Sequence, residues 1–235
     1  MSQSAPTSVL SDVDAALVGV ALRTPRAAAI AGIVFSILLI VSLWLLHLSV
    51  PADPREGGEW LRTSTGRVSL ALNLVPFAGV AFMWFLGVLR DRLGAKEDKF
   101  FATVFLSSGL MFLGMIFVAA AAASGLVRAY AAAPAALFGG STFAFARGFT
   151  YDVMHVYAFK MAAVFMVTTS TLILRTAVTA RWIALLGYVS ALLLLAGSNY
   201  LDWVLFVFPG WVLLVSIYIL VDNLSTPANA ATARG

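Results

Sequence analysis

The chain has 235 residues, of which 61% are hydrophobic and only 11% are charged, whereas about a quarter of the residues of a soluble domain are charged. So little charge on a long apolar chain excludes a soluble globular fold and predicts an all-α integral membrane protein, because helices satisfy their own backbone hydrogen bonds in lipid. The net charge is +4 and cysteine is absent, which excludes disulfides, thiolate metal sites and cysteine nucleophiles.

The predicted order of the chain is a cytoplasmic segment, a membrane domain and a tail. Residues 1–27 form the N-terminal segment, in which the spacing of Val9 and Val13 indicates a short amphipathic helix. A single six-helix transmembrane domain follows, because six stretches are long and apolar enough to cross a hydrocarbon core of about 30 Å. This domain covers 28–221, with spans at 28–48, 68–89, 100–126, 152–174, 182–198 and 203–221. Residues 222–235 form a short cytoplasmic tail.

Two predicted external segments differ in character. The first, 49–67, contains prolines, glycines and mixed charges and is predicted to be an irregular hydrated loop. The second, 127–150, is apolar and aromatic, with Phe143 and Phe145, but is interrupted by Pro134. It is predicted to lie at the outer interface or to cap the bundle, as an interfacial helix, a re-entrant segment or a loop.

Basic residues lie unequally on the two sides of the predicted bundle. With the N-terminus in the cytoplasm, nine of the fifteen basic residues fall in cytoplasmic segments, five in external segments, and Lys160 inside a span. Because cytoplasmic loops carry the excess of Lys and Arg, both termini are predicted to be cytoplasmic. Arg exceeds Lys 12 to 3, which indicates a bacterial source and an inner (plasma) membrane location. The bilayer is the expected environment, and no basic cluster indicates a nucleic-acid partner.

Lys160 is the charge that lies deepest in a predicted span. It follows Asp152 by eight residues, which is about 12 Å at about 1.5 Å per residue. A charged side chain at the centre of the bilayer costs roughly 2.5–3.5 kcal/mol unless it is paired or hydrated. Lys160 therefore predicts a site for an anionic or proton-coupled ligand. The alternative is a structural lysine that reaches the outer interface or pairs with Asp152 or Asp202.

Other polar residues fall at the same outer level of the predicted bundle. Together with Lys160 they predict an outward-facing polar pocket, because polar groups within spans mark ligand sites. The alternative is that the outer ends of any bundle are polar. Besides Lys160, the residues of this predicted pocket are Asn73, Tyr151, Asp152, His155, Asn199 and Asp202, with Arg147 just before the fourth span.

The two histidines also fall at this level. His47 ends the first predicted span and His155 begins the fourth. If the two helices are neighbours, the pair offers axial ligands to a haem or two ligands to a metal. The plainer interpretation is two interfacial histidines, so the sequence predicts no metal and no cofactor apart from this haem alternative.

Enzyme motifs are not found in the sequence. It has no phosphate-binding glycine loop, H-E-x-x-H, nucleophile elbow or dinucleotide fingerprint, so we predict no catalytic residue. The favoured function is binding or transport of a small solute, ion or lipid at the pocket around Lys160. The alternatives are a non-catalytic accessory or assembly subunit of a larger membrane complex or homo-oligomer, and a haem-binding redox subunit using His47 and His155.

Overall fold

The protein is helical in a computed structural model that describes residues 7–51, 53, 57–93, 99–134, 137, 141–176, 180–198 and 201–232. No strand occurs within these residues, which confirms the all-helical prediction for them. The elements in chain order are α1 (Thr7–His47), α2 (Trp60–Thr63), α3 (Thr65–Leu93), α4 (Lys99–Ala132), α5 (Ser141–Asp152), a π-helix (Val153–Ala158), α6 (Phe159–Thr176), α7 (Arg181–Gly197), a 3₁₀ helix (Asp202–Phe206) and α8 (Val207–Thr232).

Five helical runs in the described chain are long and apolar enough to cross a membrane, which indicates a multi-pass membrane protein. Each overlaps a predicted span, and the runs are Ala27–His47, Thr65–Arg90, Phe100–Ala132, Ser141–Arg175 and Trp203–Asp222. The remaining predicted span, 182–198, is the apolar helix α7. Its 17 residues cover about 25 Å at about 1.5 Å per residue.

The fourth run is longer than the sequence predicts. Instead of starting at 152, α5, the π-helix and α6 form one helical run of 35 residues, and α4 continues to Ala132. α4 packs against α5, so the two helices form a hairpin. In the part that the structure describes, the segment 127–150 is therefore mainly helical, which resolves the three forms left open by its composition.

The bundle has two ends, which can be identified from contacts between side chains. At the cap end, where α1 ends with His47, the ring of Phe206 in the 3₁₀ helix lies 6.2 Å from that of Trp44 in α1. At the basic end, the guanidinium of Arg175 near the end of α6 lies 4.3 Å from the ring centre of Phe101 near the start of α4. Helix α7 follows α6 and precedes the 3₁₀ helix, so it runs from the basic end to the cap end.

A cluster of phenylalanines fills the centre of the bundle. Phe35 and Phe82 have ring centres 4.6 Å apart, and Phe112 and Phe208 have ring centres 4.8 Å apart. Each of the four comes from a different helix and is at most 1% exposed. Tilted and edge-to-face pairs of this kind stabilise by about 0.5–1.5 kcal/mol each beyond their burial, so this phenylalanine core joins α1, α3, α4 and α8.

A second hydrophobic cluster, here called the cap cluster, lies at the cap end. It consists of the buried residues Trp60, Leu61, Val68, Leu72, Leu126, Leu137 and Phe143. Trp60 and Leu61 belong to α2, so the predicted irregular loop 49–67 contains a short helix that packs beneath the α4–α5 hairpin. The prediction of a wholly hydrated loop is wrong there, because the tryptophan–leucine pair buries apolar surface against the hairpin.

Candidate ligand cavity

A cavity lies at the cap end, between the phenylalanine core and the cap cluster. Its volume is about 160 Å³, comparable with engineered apolar cavities of about 150 Å³ that hold one benzene molecule. Its wall is mainly aliphatic, with residues from both hydrophobic clusters, such as Leu39, Leu43, Val75 and Ile116 from the core side and Leu72 and Leu126 from the cap side.

Few polar side chains line this cavity. Among the described residues they are Ser42, His47, Trp60, Arg147, Thr150, Tyr151 and His155. The hydroxyl of Ser42 donates to the carbonyl of Ala71 at 2.9 Å, and that of Thr150 donates to the carbonyl of Ala146 at 2.8 Å. Since these two hydroxyls are used by the backbone, the remaining five side chains supply the chemistry of the site.

Arg147 connects α5 to the chain that follows α1. It is 6% exposed, and its Nη2 donates to the carbonyl oxygens of Pro51 at 2.7 Å and Asp53 at 2.9 Å. Hydrogen bonds from a charged donor are stronger than neutral ones. Arg147 therefore holds the start of the loop against α5 and closes the cavity on that side.

Trp60 packs against this arginine. The guanidinium carbon of Arg147 lies 5.7 Å from the centre of the indole ring, a cation–π contact. Trp60 is 9% exposed, and its buried indole Nε1–H has no hydrogen-bond partner among the described residues. A buried donor without an acceptor costs about 1–3 kcal/mol, so this part of the wall is chemically incomplete.

The π-helix supplies His155. Its ring stacks on that of Tyr151 with centres 3.9 Å apart, and its Nδ1 donates to the carbonyl oxygen of Tyr151 at 3.1 Å. The carbonyl can only accept, so this bond places a proton on Nδ1. Single π-turns inside α-helices are frequent at functional sites, and here the turn carries a buried histidine in the cavity wall.

The cavity opens beside His47. Among the described lining residues only His47 is classed as exposed, whereas Trp60 and His155 are buried and Phe206 is half-buried. His47 is the last residue of α1 and its ring lies 6.3 Å from that of Trp44. A ligand would therefore enter or leave past the end of α1.

Three of the residues singled out in the sequence line this cavity, namely Tyr151, His155 and His47. Arg147 lines it too. The structure thus brings together residues that the sequence places only at a common depth.

The other predicted site residues lie elsewhere or are not described. Lys160 is half-buried on α6 and is not among the lining residues. Asn73 on α3 and Asp152 at the end of α5 are exposed. Asn199 lies outside the described residues, as does the side chain of Asp202.

A haem does not fit this cavity. The structure does place His47 and His155 in one wall, as the haem alternative requires. However, a space suited to one benzene ring is too small for a porphyrin, which has four pyrrole rings. Among the described residues, no group of three or more His, Asp or Glu side chains is arranged to hold a metal.

Sequence reasoning missed Trp60 as a site residue, because tryptophans near span ends are typical interface anchors. The available signal was the apolar pair Trp60–Leu61 within a charged loop. The aliphatic wall carried no such signal, since Leu39 or Ile116 looks like any other residue of an apolar span.

A second, shallow recess of about 240 Å³ lies between α3 and α4 near Arg90. Its Ser107 hydroxyl donates to the carbonyl of Thr103 at 2.7 Å, within the same helix. It is a groove in the surface between two helices rather than a space enclosed by several, so the cap-end cavity is the stronger candidate.

No family model, curated protein or solved structure matches this chain.

Proposed function

We propose that the protein binds a lipid-like molecule in the cap-end cavity. The observation that carries the proposal is an aliphatic cavity closed by a small set of polar residues, Trp60, Arg147, Tyr151 and His155. Ligand sites are commonly apolar cavities with a few polar groups that fix orientation. This arrangement suits a molecule with an apolar body and one polar end.

The aliphatic wall distinguishes between the three ligand classes that the sequence leaves open. An ion or a polar solute loses its hydration in such a cavity, and each polar group without a partner costs several kcal/mol. A hydrocarbon ring or chain enters at no such cost. We therefore favour the lipid over the ion and the small polar solute.

The proposed site is centred on the π-helix rather than on Lys160. Tyr151 and His155 belong to it, whereas Lys160 lies outside the cavity wall. Arg147 and Trp60 complete the polar part of the site. Lys160, Asp202 and Asn199 remain candidates for a separate polar contact on the same chain, as the sequence predicts.

For the membrane arrangement we propose six spans with both termini in the cytoplasm of a bacterium and the cavity facing outward. The path of α7 from the basic end to the cap end supports a sixth crossing. At about 25 Å this helix is shorter than the core of about 30 Å, a mismatch that local thinning of the bilayer accommodates. The larger number of basic residues in the proposed cytoplasmic segments supports the orientation.

A second candidate function, an accessory subunit of a membrane complex, is favoured by one surface feature. On α5 the rings of Phe145 and Phe149 stack with centres 6.0 Å apart while the residues are 73% and 41% exposed. Exposed aromatic groups are enriched in protein interfaces. A partner subunit or a second copy could pack on this pair.

Native mass spectrometry of protein gently extracted from its own membranes tests the binding function. Ala120 lines the cavity, whereas Ala121 is exposed and does not, so Ala120→Leu and Ala121→Leu form a matched pair. Because overpacking costs about 1–3 kcal/mol, we expect Ala120→Leu to retain about tenfold less bound lipid-like mass. We expect Ala121→Leu to retain as much as the unmodified protein.

The outcomes separate the candidates. Equal retention by the two alanine variants would rule out this cavity as the binding site. A stoichiometric foreign subunit without any small ligand would instead support the accessory role. Lys160→Met is expected to keep the bound mass, and its loss in that variant would return the site to Lys160.

A further inference from the structure

We infer that the ligand is an acyl lipid whose carbonyl or carboxylate oxygen accepts a hydrogen bond from Trp60 Nε1. This inference rests on the proposed function, since it names the polar end of the molecule held in the cap-end cavity. The juxtaposition that carries it is a buried donor without an acceptor in the wall of an otherwise aliphatic cavity.

The indole of Trp60 can only donate. Its Nε1–H has no acceptor capacity, and it is buried without a partner among the described residues. The great majority of buried polar groups in native proteins are hydrogen-bonded, so each exception requires an explanation. A ligand oxygen in the adjoining cavity would provide one.

The neighbours of Trp60 do not provide that acceptor. The cap cluster around it is formed by Leu61, Val68, Leu126 and other apolar residues. Its polar neighbour is Arg147, whose guanidinium lies 5.7 Å from the ring centre and has donors but no acceptor. The complementary group is therefore an oxygen with lone pairs.

This chemistry selects between lipid headgroups. A carboxylic acid or an ester has a carbonyl oxygen that can accept from Trp60. A primary ammonium has three donors and no acceptor, so an alkylamine would leave the indole N–H unsatisfied. An alkane would occupy the aliphatic space but would also leave that donor without a partner.

The size of the cavity determines how much of the lipid is enclosed. At about 160 Å³ it holds roughly the volume of one benzene ring, which is a short part of an acyl chain. The enclosed part is the one next to the carbonyl, because that oxygen must reach Trp60. The rest of the chain leaves past His47, the exposed residue of the lining, towards the bilayer.

The test compares four probes of equal chain length: dodecanoic acid, its methyl ester, dodecylamine and dodecane. Full-length protein in nanodiscs is equilibrated with each probe, and retained probe is measured by mass spectrometry as a function of its concentration. Since one hydrogen bond contributes on the order of a tenfold change in affinity, the acid and the ester should bind about tenfold more tightly than the alkane. Dodecylamine should bind no more tightly than the alkane.

Two tryptophan variants locate the effect. Trp60→Phe keeps an aromatic ring but removes the N–H, so it should weaken acid and ester binding about tenfold and leave alkane binding unchanged. Trp84→Phe is the matched control, because Trp84 is 66% exposed and does not line the cavity. It should leave all four affinities unchanged.

The results distinguish this inference from the function on which it rests. If the alkane binds as tightly as the acid, and Ala120→Leu still blocks both, the cavity binds lipid but the acyl-oxygen inference is overturned. Unchanged acid and ester binding in Trp60→Phe has the same meaning. If no probe binds and Ala120→Leu matches Ala121→Leu, the proposed function itself fails. If Trp60→Phe does not fold, the four probes on the unmodified protein decide the question.

Discussion

At the scale of single residues, Arg147 shows how one buried side chain determines the position of a loop. Its two hydrogen bonds to the carbonyls of Pro51 and Asp53 join parts of the chain that lie far apart in sequence. Arg62 provides the contrast. Its ion pair with Glu59, at 3.8 Å, is exposed and contributes at most about 1 kcal/mol.

Replacing Arg147 should loosen the cap end. Arg147→Met removes both carbonyl hydrogen bonds, each formed with a charged donor, so the free energy of unfolding should fall by about 2–4 kcal/mol. Unfolding in mixed micelles at increasing denaturing detergent measures this change. The control is Arg128→Met, since Arg128 is exposed on α4, and a shift within about 0.5 kcal/mol is expected there. Equal stability of the two variants would show that Arg147 does not hold the loop.

At the scale of helices, close approach between α1, α3 and α8 depends on Gly32. A Cβ at this position would meet the hydroxyl of Ser216 and a ring carbon of Phe85, the latter at 2.8 Å. Phe85 is 0% exposed and so has little room to move. Small residues at such crossings let helix backbones approach in membranes, where packing rather than the hydrophobic effect drives association.

Gly32→Ala is therefore expected to destabilise the bundle. Overpacking of this kind costs about 1–3 kcal/mol, measurable as a lower unfolding midpoint in the same mixed micelles. Gly114→Ala is the counterpart, because Gly114 is exposed on α4 and nothing lies within 4 Å of an added Cβ. It should be neutral or stabilise by up to about 1 kcal/mol, since alanine is the better helix former. A destabilisation by Gly114→Ala as large as that by Gly32→Ala would argue against this contact.

At the scale of the whole molecule, the cavity exists because the chain buries apolar residues in two clusters. The phenylalanine core holds the helices together, and the cap cluster closes the bundle beneath the α4–α5 hairpin. The space between them is neither filled by core side chains nor exposed on an open surface. Arg147 and Trp60 lie on the cap side of this space, which is why the polar end of a ligand would bind there.

The proposed six crossings can be tested with single cysteines, because the chain has none of its own. Arg181 and Trp203 are exposed at opposite ends of the path that includes α7. A membrane-impermeant thiol reagent added to intact cells should label Trp203→Cys, and Arg181→Cys only after permeabilisation. The cysteine-free parent provides the background. Labelling of both from the same side would mean that α7 does not cross the membrane.

Much of the fold could be predicted from the sequence, because apolar length and helical backbone pairing are local properties. The five membrane-competent runs and the apolar helix α7 all overlap predicted spans. The start of the fourth run at Ser141 could not be predicted, since polar residues such as Arg147 and Asp152 suggest an end to the span. In the structure Arg147 instead satisfies its donors against the loop after α1.

The candidate site was predictable only as a set of polar residues at one depth. Tyr151 and His155 were identified correctly as neighbours of a pocket, because polar side chains stand out in an apolar span. Lys160 stood out for the same reason but lies outside the wall. Depth follows from counting residues along a helix, whereas the face of the helix depends on the packing of its neighbours and here also on the π-turn at Val153–Ala158.

The sequence by itself determined that the chain is helical and built for a membrane, since composition sets the solvent and lipid allows few backbone forms. Only the tertiary structure decided where a ligand could bind. The cavity requires the ends of α1, α3, α4 and α5 to enclose a space, and Trp60 becomes a site residue only when the hairpin covers it. Such contacts between distant segments arise from packing, which no single stretch of sequence specifies.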